Sequence, residues 1–163
     1  MKNKTTIFNL KNLSIILLLI SNTITAQEIK QDSVKSKMLN NAIYGNVGLG
    51  GLYGTATGYY ERMFHKNAQK SIIATFVKVG YGGAAYWEGS SSYILGQFGI
   101  LTGVKKHHLE VSAGLVKGFG EDFDFFPLSG SIGYRIQKPD GHFIFRTGVG
   151  WPEALYFGLG VSF

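Results

Sequence analysis

The 163-residue chain has no cysteine, which excludes both disulfides and a lipid-modified N-terminal Cys. It has three prolines, and only 16% of its residues are charged. That is too little charge for the solvated outer faces of a soluble β-protein. No apolar run approaches the roughly 20 residues of a membrane-spanning helix. The longest at the start is Ile15–Ile20, and no helical period follows residue 41. Glycine and aromatics are plentiful instead: 23 Gly, and 14% Phe, Trp and Tyr. The length suits one domain.

The first 26 residues contain no acid. Lys2, Lys4 and Lys11 precede the apolar stretch IILLLI, and the small, polar SNTITA follows. This three-part pattern is that of a cleaved secretory signal peptide, with the cut expected between Ala26 and Gln27. Its removal lowers the formal net charge from +6 to +3, and an exported chain of that charge is not expected to bind nucleic acid. Residues 27–42 are polar and lack alternation, and read as a flexible periplasmic lead-in.

From Ile43 the sequence alternates with period 2, the strand signature. Eight runs are expected, at about 43–51, 55–64, 71–81, 93–103, 109–119, 128–137, 142–150 and 155–163, each near the 9–11 residues of a tilted membrane strand. In the fifth, Leu109, Val111, Ala113 and Leu115 oppose Glu110, Ser112 and Gly114; in the last, Leu155, Phe157, Leu159, Val161 and Phe163 oppose Tyr156, Gly158, Gly160 and Ser162. The stretch 82–92 reads as a connection, and Pro139-Asp140-Gly141 as a tight turn, because Pro presets φ and Gly accepts φ > 0. All three prolines fall at strand ends, where a missing N–H costs no ladder bond.

Alternation alone does not say which face points inward, and a soluble lipocalin-type barrel would alternate equally. The polar face, however, is rich in Gly and Ser rather than charge, as a narrow lumen requires. The apolar face carries aromatics near strand ends (Tyr60, Phe64, Tyr81, Phe119, Tyr134, Phe143), where interfacial girdles sit. The fold expected is all-β: an eight-stranded antiparallel up-and-down transmembrane β-barrel over 43–163.

The ending Tyr156-Phe-Gly-Leu-Gly-Val-Ser-Phe163 resembles the last strand by which bacterial outer-membrane proteins are recognised for assembly. The region 43–163 resembles small OmpA/OmpX-like barrels, and Gly133–Gln137 and Phe145–Trp151 are similar in style to outer-membrane barrels of Bacteroidetes. The resemblance implies Tyr156, Phe157, Leu159, Val161 and Phe163 as an assembly signal. It also implies the outer-membrane assembly machinery, membrane lipids and lipopolysaccharide as partners of a monomer. The connections here are short, unlike those of adhesive relatives.

An even strand number puts both barrel ends in the periplasm. The turns there hold Lys66, Lys70, Lys105, Lys106 and Lys138, whereas the outer tips hold Glu88, Glu121, Asp122, Asp124 and Glu153. The acids are read as solvated loop ends; Glu121, Asp122 and Asp124 have Ca²⁺-type oxygens but no 12-residue binding loop. Glu110, Arg135 and Arg146 fall on the lumen face, with Lys78, Gln97 and Glu61 as further members. A buried charge needs a partner, so a Glu110–Arg135–Arg146 network is expected in the periplasmic half. Eight strands enclose only enough room for side chains, which makes this a plug rather than a pore.

Lipid-modifying barrel enzymes would need His, Ser and a carboxylate facing the outer leaflet. His65, His107, His108 and His142 all map to periplasmic turns, and the adjacent pair would point to opposite faces. Gly48–Gly51 is not a phosphate loop, since no helix or Lys-Ser/Thr follows. The expectation is a non-enzymatic envelope protein without cofactor or metal. The alternatives are a lipid-modifying enzyme with a site near Tyr86, Trp87 and Glu88, and a soluble periplasmic binding barrel.

Overall fold

The alternating runs pair into a closed antiparallel barrel in the computed structural model, which describes residues 38–66, 72–119 and 126–163. The strands are β1 (Asn41–Leu49), β2 (Tyr53–Lys66), β3 (Ile72–Tyr86), β4 (Gly89–Val104), β5 (His107–Phe119), β6 (Leu128–Gln137), β7 (Phe143–Trp151) and β8 (Ala154–Ser162). Each pairs with its neighbours in sequence, and β1 pairs with β8 from Ala42↔Ser162 to Leu49↔Leu155. Reciprocal backbone bonds join Asn41 and Phe163 at 2.8 and 2.9 Å. Each described strand is paired on both sides, so no edge strand remains, which removes the usual route to edge-to-edge aggregation. We call the end holding Asn41 and Ser162 the near end, and the opposite one the far end.

Two boundaries differ from the sequence reading. The first strand starts at Asn41, and Met38 before it is buried against Met63, Phe76 and Leu101. The stretch 82–92 is not a loop. There β3 and β4 continue as a ladder through Gly83↔Ser92, Ala84↔Ser91 and Tyr86↔Gly89, turning on Trp87 and Glu88 alone. Gly82-Gly83-Ala84-Ala85 and Ser90-Ser91-Ser92 hold no large side chain, so both faces look alike in sequence although the backbone still pairs.

The pleat sorts side chains cleanly. Phe64, Tyr81, Phe98, Leu115, Phe143 and Leu159 stand on the outside, 55–63% exposed. Glu61, Lys78, Glu110, Arg135 and Arg146 stand inside at 2% or less. The lumen is not only glycine and charge, as the alternation suggested. Tyr44, Tyr59, Tyr93 and Tyr156 also point inward, and Met38, Met63, Ala74, Phe76 and Leu101 form an apolar cluster. Gly99 makes room for one of these rings: a Cβ there would run into Phe76.

Candidate functional site

The lumen charges come from five strands, each delivered by an inward position of its pleat. Glu110 of β5 is the hub. Lys78 Nζ donates to its Oε1 at 3.0 Å, Arg146 Nε donates to Oε2 at 3.1 Å, and Arg146 Nη2 donates to Oε1. Arg135 Nη1 donates to both oxygens of Glu61, at 2.8 and 3.0 Å, and lies 3.6 Å from Glu110 Oε2. Tyr44 Oη donates to Glu61 Oε2 at 3.0 Å. The Arg146 guanidinium lies 4.1 Å from the centroid of the Tyr44 ring, a cation–π contact. Charges this deep are tolerable only when paired and hydrogen-bonded.

The sequence reading brought together the right side chains but drew the wiring differently. Glu110 pairs in register with Gly133 rather than Arg135, and Arg135 sits opposite His108 on one side and Arg146 on the other. Glu61, expected as a peripheral member, is the main partner of Arg135. Gln97 stands directly opposite Lys78 in the β3–β4 ladder but takes its hydrogen bond elsewhere. Its Oε1 accepts from Ser112 at 2.9 Å; Ser112 bonds Ser131 at 2.8 Å, and Ser131 meets Lys78 Nζ at 3.4 Å.

Glu153 is a correction. The sequence places it among the solvated acidic tips, yet it is 5% exposed and accepts from Asn46 Nδ2 at 3.1 Å. The turn between β7 and β8 folds it into the far mouth of the barrel. Lys78, Arg135 and Arg146 thus share the interior with Glu61, Glu110 and Glu153, three formal charges of each sign, although Glu153 is bonded to Asn46 and not to a cation. Period 2 carries no signal for this: counted from outward Trp151 it would place Glu153 outside, and the turn at 152–153 breaks the count.

Of the histidines, His108 differs from an exposed turn residue, whereas His107 and His142 are exposed as expected. His108 is an inward residue of β5, 2% exposed, with Nε2 3.0 Å from the Gln137 carbonyl. His107 faces outward and stacks on Tyr134, to which its Nδ1 is hydrogen-bonded. His142 Nδ1 lies 2.8 Å from the Ser162 carbonyl. These three lie at the near end. The hollow bounded by Gly51, Leu52, Tyr86, Trp87 and Glu88, about 430 Å³, lies at the far end.

In the final strand Tyr156 is buried and points inward, while Phe157, Leu159, Val161 and Phe163 point outward at 46–58% exposure. The aromatics Tyr44, Tyr59 and Phe76 that frame the charges are not among the lumen members expected from the sequence. Their signal was an aromatic recurring on the Gly/Ser face. The Ala26–Gln27 cut and the acids Glu121, Asp122 and Asp124 lie outside the described residues. Among the described residues no three His, Asp or Glu side chains gather as a metal site. Comparison with protein families, curated proteins and solved structures returns no match.

Proposed function

We propose that this chain is an integral outer-membrane protein, exported by its first 26 residues and inserted with its last strand as the assembly signal. Its lumen is plugged, and its role is structural or surface-interacting rather than enzymatic. The observation that carries the reading is the inside-out sorting: large apolar side chains cover the wall while the charged network is sealed within. Each exposed apolar group would cost about 25 cal/mol per Å² of contact with water, a cost that lipid removes. A water-soluble binding barrel would need the opposite arrangement, with an apolar cavity in place of Glu61, Lys78, Glu110, Arg135 and Arg146.

Aromatics near both rims support the same reading, with Tyr60, Phe64, Tyr134 and Phe143 at the near end and Phe119, Phe126 and Trp151 at the far end. The far-end hollow beside Trp87 offers Glu88 as a carboxylate, but His107, His108 and His142 are at the other end of the barrel. Among the described residues no histidine lies at that end to work with Glu88.

The test is cell fractionation with gel migration of unboiled and boiled samples. The expected result is an outer-membrane band that shifts on boiling. Recovery of the mature chain in the soluble periplasm, with no shift, would end the membrane reading.

A further inference from the structure

The wall carries one charge that the plug does not explain. Lys117 of β5 is exposed on the outward face, two residues from the far end of its strand. It is flanked along the strand by Leu115 and Phe119 and faces Ile94 across the ladder. Its outward diagonal neighbour is Ser92, since Ser92 pairs with Phe119. Among the described residues Lys117 makes no ion pair. Between the near-end Arg62 and the far-end turns, it is the only charged side chain that the described wall presents.

A cation in lipid-facing surroundings is costly, and its long stem places the ammonium at the headgroup level. The nearby wall is unusual too. A furrow of about 440 Å³ crosses the far part of β1–β4, bounded by Val47 and Leu49 and floored by Ala56, Gly83, Ala85 and Ser92. Small outward residues there let an acyl chain approach the backbone. We propose that Lys117 and this furrow bind one outer-leaflet lipid bearing a phosphate headgroup, the phosphate on Lys117 and an acyl chain in the furrow. The choice rests on charge complementarity: the site offers one cation and hydroxyl donors, which suits an anionic oxygen cluster. This inference depends on the membrane reading above.

The test uses the purified protein in bilayer discs doped with lipid A carrying both phosphates, or with its dephosphorylated form, and native mass spectrometry of what stays bound. Wild type should retain the phosphorylated lipid about tenfold better, the size of one charge-assisted contact. Lys117→Gln should lose that preference, Lys117→Arg should keep it, and Ala85→Leu should reduce retention of both lipids by filling the furrow. Lys138→Gln, a near-end lysine, should behave as wild type. An undiminished preference in Lys117→Gln, equal retention of both lipids by wild type, or a second copy of the chain in place of lipid would overturn the proposal. A wild-type protein that enters the discs with a heat-shifted band, yet shows no preference, sinks only the lipid site. A protein that never enters them sinks the membrane reading.

Discussion

Arg135 and Arg146 stand directly opposite each other across the β6–β7 ladder, both sealed in the lumen, and Glu110 reaches toward both. Like charges in that position repel, so their coexistence depends on the carboxylates. Glu110→Gln leaves Lys78, Arg135 and Arg146 with Glu61 as the nearest acid. The expected loss is about 3–5 kcal/mol, the usual cost of breaking a buried pair from one side. The check is the urea midpoint of the heat-shifted band. Combining Glu110→Gln with Arg146→Met should recover part of the loss, because the orphaned cation is gone.

If the network is a plug, Arg135→Ala should weaken folding far more than it changes ion conductance. Planar-bilayer recordings alongside urea titration separate the two. A clear rise in conductance with unchanged stability would make the cluster a gate.

The outer wall distinguishes lipid from water without reference to the lumen. Leu159 is 58% exposed, so in a soluble barrel Leu159→Lys would be nearly neutral. Facing the bilayer it should cost about 2–4 kcal/mol, depending on depth. Folding into vesicles against folding in detergent, followed by the gel shift, gives the comparison.

Two glycines of β4 report on the two faces. Gly99 lies beneath the Phe76 ring, whereas nothing is within 4 Å of a Cβ placed on Gly96. Gly99→Ala should cost about 1–3 kcal/mol through overpacking. Gly96→Ala should be neutral or slightly stabilising, because it limits the unfolded chain. Equal effects at the two sites would contradict the assigned faces.

Ala154 opens β8 at φ 56, in the left-handed region that disfavours a Cβ. Ala154→Gly should therefore raise stability by about 1 kcal/mol. The same change at Ala113, an outward mid-strand residue of β5, should lower it.

The fold was legible because period 2 is strong wherever a large apolar residue alternates with Gly or Ser, as in β5 and β8. It faded at 82–92, where both faces carry only small side chains. The lumen charges were legible too, since Glu110, Arg135 and Arg146 fall on the Gly/Ser face. Their pairing was not, because partners such as Arg135 and Glu61 meet across the lumen, through side-chain reach rather than ladder register. Glu153 was misplaced because a two-residue turn can point a side chain back into the mouth, which alternation does not encode.

The ladder between β1 and β8 has a consequence for how the molecule is made. Its two members come from opposite ends of the barrel sequence, so the cylinder cannot be zipped shut until β8 has been made. Until then two raw strand borders, on β1 and on the strand last made, stay available to any passing chain, and a product cut short before Tyr156 would keep both for good.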